Sequence, residues 1–248
     1  MDDTIIVIPA RFNSQRFPGK VLYPLMGKPV LKWVLDSAIK SKIAKKVIIA
    51  TEDKKVLDFA SSINAEAKLT SESCKSGSDR VWEVARKINC KFVINLQADE
   101  PFINPEVIRE SMAKLKKEKA DIATACAPII DKKEILNPNC VKVAMNKNGM
   151  ALYFSRHPIP YHHELSELSK KYPYYKHCGF YIYKKEALEK FVKAKQTQLE
   201  ILERLEQLRA LENGMKISVH ITDTLGPAID TFEDIKNAEK YYKKIIRR

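Results

Sequence analysis

An α/β fold built on a doubly wound sheet is the class this sequence predicts, and three observations predict it. Short apolar runs alternate with longer amphipathic stretches along most of the chain. The first run, Ile5-Ile6-Val7-Ile8-Pro9, is continuously apolar, as expected of a strand buried on both faces of a sheet. The longer stretches place apolar residues at helical spacing. Strand–helix alternation of this kind specifies parallel βαβ units.

The elements follow in order. Val30, Leu31, Val34, Leu35 and Ala38 fall on one helical stripe, so a helix is expected over 29–41. Residues 47–51 form a second buried run and 54–62 a second helix. A short strand near 65–69 and a helix over 79–88 come next. Residues 92–96 are a third strongly apolar run. Pro105 is placed like a first-turn proline, opening a helix that reaches 117. Strands are expected at 122–127 and 141–145.

The alternation breaks after Asn146. Asn148-Gly149 is a turn dipeptide, and 151–154 is apolar again. Residues 156–175 hold three of the five His and no clear period, which reads as a loop-rich insertion. A strand at 181–183 and a helix over 185–195 resume the pattern. Residues 198–211 read as one helix, because Leu199, Leu202, Leu205, Leu208 and Leu211 recur every three residues and Asn213-Gly214 supplies a C-cap. A strand over 217–221 and a basic helix over 231–246 complete the chain. At about 150 residues per domain, 248 residues suit one large domain with an elaboration. With no internal repeat or flexible linker, the expectation is a single domain over 1–248 with an inserted subregion at 147–195.

Forty-four Lys and Arg against 31 Asp and Glu leave a net charge of +13, a field that attracts nucleotides, phosphosugars, sugar acids, nucleic acid or a membrane surface. The basic residues are spread along the chain without aromatic interleaving or a known binding motif, which argues against nucleic acid. No stretch approaches 18 consecutive apolar residues, so no transmembrane helix is expected. The acidic start Met1-Asp2-Asp3 is unlike a signal peptide, and a cytoplasmic location is expected. Five cysteines, odd in number and without a CxxC pair, argue against a disulfide framework or a zinc cluster.

Chemistry concentrates in five passages. The loop after the first strand carries Arg11, Arg16 and Lys20 within ten residues, at the edge where open α/β sheets bind ligands. With one Gly at its end, it has to meet phosphate through side chains, Arg as a planar fork and Lys as a point charge. The third strand ends in Gln97-Ala98-Asp99-Glu100-Pro101, where Asp99 can take a hard divalent cation through oxygen, the alternative being a cap on the helix at Pro105. In Gly226-Pro227-Ala228-Ile229-Asp230-Thr231, Asp230 is either a second such acid or, like Thr231, an N-cap for the next helix, and Thr231 with Asp234 resembles a capping box. Ser76-Gly77-Ser78-Asp79-Arg80 opens a helix whose N-terminus favours anions. A late set holds Arg156, His177, Tyr181, Glu206 and Gln207, with Gly179 permitting close approach.

Together these passages resemble the cytidylyltransferases that activate 3-deoxy-manno-octulosonate (Kdo), the CMP-Kdo synthetases. The family's I-P-A-R-x-x-S-x-R-x-P-G-K is matched by residues 8–20, its S-G-T-D-R by 76–80 and its Q-G-D-E-P by 97–101. N-P-N-x-V-K-V is matched by 137–143, and A-L-Y-F-S-R-x-P-I-P by 151–160. H-x-G-x-Y is matched by 177–181, and L-E-x-x-E-x-L-E-Q-L-R by 199–209. The resemblance implies a nucleotide-diphosphosugar-transferase (Rossmann-like) fold, with a doubly wound mixed sheet and a loop-rich inserted dimerisation region. It implies a homodimer, CTP and a 3-deoxy-octulosonic acid as substrates, and Mg2+ as cofactor. Arg16, Lys20 and Asp99 would be catalytic. Pro9, Ala10, Arg11, Ser76, Gly77, Arg80 and Gln97 would bind nucleotide. Arg156, His177, Tyr181, Glu206 and Gln207 would line the sugar pocket, and Asp99 and Asp230 would hold the metal. The implied reaction is CTP + Kdo → CMP-Kdo + diphosphate, for lipopolysaccharide biosynthesis. The chain departs from the family pattern at Ala98, Cys74 and Glu52, where Gly, His and Asp are usual. CMP transfer to 8-amino-Kdo or to a sialic-acid-type nonulosonate is the alternative.

Overall fold

The computed structural model describes residues 3–14, 16–161, 173–223 and 225–245. Residues 162–172 of the expected insertion lie outside them. The chain forms two compact units, unit 1 from Met1–Arg109, Gly179–Leu188 and Gly226–Arg248, and unit 2 from Glu110–Cys178 and Glu189–Leu225.

Unit 1 opens with β1 (Thr4–Pro9), a short hairpin of β2 (Pro24–Leu25) and β3 (Lys28–Pro29), α1 (Val30–Lys40), β4 (Lys46–Thr51), α2 (Lys54–Ser62), β5 (Ala67–Leu69), α3 (Gly77–Ala85) and β6 (Phe92–Leu96). The chain passes into unit 2 within α4 (Pro105–Lys117) and builds β7 (Ile122–Pro128), α5 (Lys132–Leu136), β8 (Lys142–Met145), β9 (Ala151–Ser155) and β10 (Tyr175–His177). It returns to unit 1 for β11 (Phe180–Lys184) and the start of α6 (Lys185–Lys193). Unit 2 then gains α7 (Gln198–Glu203), α8 (Gln207–Glu212) and β12 (Ile217–Ile221), and α9 (Phe232–Ile245) closes unit 1.

In unit 1 the strands run in the order β5-β4-β1-β6-β11. The first four are parallel and β11 is antiparallel to β6. Every residue of β1 is buried, which is why it reads as an unbroken apolar run. Helices α1, α2 and α3 pack against these strands. In unit 2, β12 pairs with β7 in parallel, while β10, β8 and β9 add antiparallel. The α/β class agrees with the sequence pattern, and the antiparallel strands make the sheet mixed, as the resemblance implies.

One element differs. The helix expected over 198–211 is two helices, broken at Arg204, whose φ of 54° is left-handed. A leucine every three residues precesses around a 3.6-residue helix and cannot line one face. Leu205 and Leu208 are buried, but Leu202 is 71% exposed. The break lets α7 and α8 fold together around a buried ion pair, with Arg209 Nε donating to Glu200 Oε2 at 2.7 Å.

Candidate active site

The loop leaving β1 doubles back on itself. The amides of Ser14 and Gly19 donate to the Phe12 carbonyl at 3.0 and 2.7 Å. Gly19 takes a left-handed φ of 76°, open to glycine without strain, and this returns Lys20 to the sheet edge. There its Nζ donates to Asp99 Oδ2 at 2.7 Å, to Asp230 Oδ1 at 3.0 Å and to the Ile229 carbonyl at 3.0 Å. Arg16 Nη2 lies 3.1 Å from the other oxygen of Asp230. Lys20 is 9% exposed. Burial works against its charge, but Asp99 and Asp230 outweigh that and raise its pKa, so it stays an ammonium.

The capping alternatives for both acids are taken by other residues. Asn104 Oδ1 accepts from the Glu106 amide at 2.9 Å at the start of α4. Asp234 accepts from the amides of Asp230 and Thr231 and from the Thr231 hydroxyl. Asp99 and Asp230 are thus left facing Lys20. Among the described residues no group of three or more His, Cys, Asp and Glu converges. Two carboxylates at one edge still fit magnesium, which binds through hard oxygens, taking one or two carboxylates and completing its shell with water and substrate phosphate.

Three of the residues expected to bind nucleotide, Pro9, Gly77 and Gln97, meet in unit 1. A Cβ built on Gly77 would stand 3.4 Å from Gln97 Nε2 and 3.5 Å from Pro9 Cγ, ordinary contact distances that place the three residues together. Ser76 caps α3, with its hydroxyl accepting from Asp79 and Asp79 accepting from the Ser76 amide. Ala10 is fully buried and its amide is used by β4. Arg11 remains half-exposed, with Nη2 donating to the Cys74 carbonyl at 2.7 Å. Arg80 is wholly buried, its Nη1 donating to Thr70 Oγ1 and standing 2.9 Å from Glu52 Oε2. It is packed within unit 1 rather than presented to a ligand. A cavity of about 360 Å³, lined by Lys46, Glu66, Lys68, Glu83 and Lys87 among others, includes none of the expected site residues.

Of the late set, Tyr181 lies on β11 in unit 1, opposite Asn95, and the rest belong to unit 2. Arg156 spends its guanidinium on backbone, Nε on the Glu203 carbonyl at 2.8 Å and Nη1 on the Pro138 carbonyl at 3.0 Å. Glu203 in turn accepts from the Ser155 hydroxyl and the Arg156 amide. His177 Nε2 is 2.9 Å from the Thr124 hydroxyl, and desolvation pushes its pKa down to about 3. Glu206 stands at the N-terminus of α8. Gln207 is 6% exposed, and its Nε2 finds no hydrogen-bond partner among the described residues.

Residues that spacing did not single out hold this set. Lys142 is wholly buried and donates to the carbonyls of Asn137, Cys140 and Arg156 at 3.0, 2.7 and 2.6 Å. Glu100 Oε1 accepts from the Gly179 amide at 3.0 Å, and a Cβ at Gly179 would stand 2.8 Å from it. A lysine among the apolar residues Val141, Val143 and Ala144 was the available signal for Lys142.

A cationic loop and paired carboxylates at the carboxyl edge of a largely parallel sheet define an α/β nucleotidyltransferase. The pattern of the cytidylyltransferase family matches residues 5–217. The 3-deoxy-manno-octulosonate cytidylyltransferase of Elusimicrobium minutum is 50% identical, covering 98% of this chain and 99% of its own. That of Thermodesulfovibrio yellowstonii is 43% identical over 96% and 97%. A solved CMP:2-keto-3-deoxy-manno-octonic acid synthetase complexed with CTP superposes with a TM-score of 0.90 at 33% identity, over 98% of this chain and 100% of that one. The chain belongs to the cytidylyltransferase family and, within it, to the 3-deoxy-manno-octulosonate cytidylyltransferases.

Proposed function

We propose that the chain transfers CMP from CTP to Kdo and releases diphosphate, a step that supplies activated sugar for lipopolysaccharide biosynthesis. The observation that carries this reading is Lys20 held between Asp99 and Asp230, with Arg16 on the second acid. The anomeric 2-hydroxyl oxygen of the sugar acid attacks the α-phosphorus. The bond to the oxygen bridging the α- and β-phosphorus breaks, diphosphate leaves with that electron pair, and the hydroxyl proton goes to solvent. Nucleotidyl transfer needs positioning and charge neutralisation more than covalent help. Arg16 and Lys20 neutralise the leaving diphosphate. Arg11, Gln97, Gly77 and Pro9 receive the nucleotide. Asp99 and Asp230 would hold a magnesium ion, whose charge would offset that of the phosphates.

Arg156, His177, Tyr181, Glu206 and Gln207 bind the sugar acid in this reading. The unpaired amide of buried Gln207 supports it, since such a donor suits a hydroxyl. A homodimer belongs to the same reading. Support comes from Leu136, Leu152, Ile201 and Leu202, large apolar side chains exposed on unit 2 that a second copy would cover. All five cysteines are free thiols, in keeping with a cytoplasmic setting. Diphosphate release with CTP against Kdo, 8-amino-Kdo and a sialic acid tests the reading. Preference for Kdo is expected. A preference for 8-amino-Kdo or for the nonulosonate would move the chain to that substrate.

A further inference from the structure

The register of unit 1 sets Glu52 between two arginines. β1 and β4 are parallel with Pro9 opposite Ala50, and the Ala10 amide donates to the Ala50 carbonyl at 2.8 Å. Two residues beyond that pair, Arg11 and Glu52 leave neighbouring strand ends. On the other side of β4, the Thr70 amide donates to the Thr51 carbonyl at 2.8 Å. Arg80, at the first turn of α3, reaches into this corner. Its Nη1 meets both Thr70 Oγ1 and, at 2.9 Å, Glu52 Oε2. The other oxygen of Glu52 lies 3.9 Å from Arg11 Nε.

A wholly buried guanidinium needs a counter-charge, and Glu52 supplies it. That ion pair, at 2.9 Å, keeps the carboxylate beside Arg11 by charge, since among the described residues Glu52 Oε2 has no hydrogen-bond partner. Arg11 Nη2 is bonded to the Cys74 carbonyl, and Glu52 places its charge 3.9 Å from the Arg11 Nε, an ion-pair distance rather than a hydrogen bond. Ordering a rotamer-rich side chain in advance lowers the cost of binding. We infer that Glu52, anchored by Arg80, is a positioning residue that holds Arg11 in the orientation in which it meets the triphosphate of CTP. This rests on the reading of Arg11 as a nucleotide ligand. It also gives Arg80 a role that burial permits, acting on the nucleotide through Glu52.

The test is a double-mutant cycle on CTP affinity, measured by calorimetry in magnesium. Arg11→Ala is expected to weaken CTP roughly tenfold and Glu52→Gln roughly three- to tenfold, while the double variant binds within about twofold of Arg11→Ala alone. Because Glu52→Gln strands the buried Arg80 charge, the pair Glu52→Gln/Arg80→Met, which removes that buried charge together with its partner, carries the same cycle if the single variant does not fold. Additive losses overturn the inference, because a general structural role would act whether or not Arg11 is present. So does wild-type affinity in the Glu52 variants when Arg11→Ala is weakened. Wild-type affinity in Arg11→Ala would overturn the nucleotide role of Arg11 and this inference with it.

Discussion

Lys20 Nζ stands 2.7 Å from Asp99 Oδ2, although 79 positions separate the two residues in the chain. Asp230, 210 positions from Lys20, completes the contact at 3.0 Å. Three passages of unit 1 thereby meet at one ammonium, with acids that would repel each other and a lysine that burial would discharge. Each charge is tolerable because the others are present.

Lys20→Ala is therefore predicted to lower kcat by about 10²- to 10³-fold, the scale of losing one charged donor to a developing negative charge, with a much smaller change in KM for CTP. Lys20→Arg should not restore the rate, because a planar fork cannot place one point charge between two carboxylates. Steady-state kinetics on both variants decide this. A raised KM with kcat unchanged would make Lys20 a binding residue only.

The Gln207 side chain gives a prediction of opposite signs. An unpaired buried donor costs about 1–3 kcal/mol, so Gln207→Met should raise the melting temperature by several degrees. The same change should raise KM for Kdo roughly tenfold and leave that for CTP alone, since hydrogen-bonding sites discriminate strongly. Thermal melts and titration of both substrates check it. A lower melting temperature together with an unchanged KM for Kdo would return Gln207 to the core.

His177 makes stability depend on pH. Its pKa is pushed down to about 3 in the fold, against 6.5 for an unperturbed imidazole. Between those values the unfolded chain binds a proton that the folded chain does not, so stability is full above pH 6.5 and is lost as pH falls. The loss reaches about 2 kcal/mol at pH 5. Between pH 7 and pH 5 the melting temperature of His177→Gln should fall less than that of the wild type. Equal falls would mean that the imidazole protonates freely in the fold.

Much of this was legible in the sequence because periodicity reports burial. The runs at β1, β4 and β6 are apolar because parallel strands are covered on both faces, and their boundaries fall within a residue of the structure. The carboxyl edge of those strands located Arg11, Gln97 and Asp99. What periodicity could not show is pairing across the chain. Whether Asp230 caps α9 or faces Lys20 depends on Asp234, and both outcomes have the same sequence. Arg80 stands in a helix-opening motif that suits an anion, yet its guanidinium turns inward to Glu52. The leucine repeat over 199–211 has a period of three, which a 3.6-residue turn cannot keep on one face, and the chain breaks at Arg204. Strand β10 and helix α5, of three and five residues, are too short to leave a period.

The central claim is that the acids facing Lys20 belong to the reaction centre, and Asp99→Asn tests it most directly. The amide keeps the shape of the side chain and removes the charge that both Lys20 and a divalent cation need. CMP transfer from CTP to Kdo should be measured in magnesium on a variant whose circular dichroism matches the wild type. The account predicts a folded protein with transfer reduced by at least about 10³-fold. Transfer at close to the wild-type rate would contradict it.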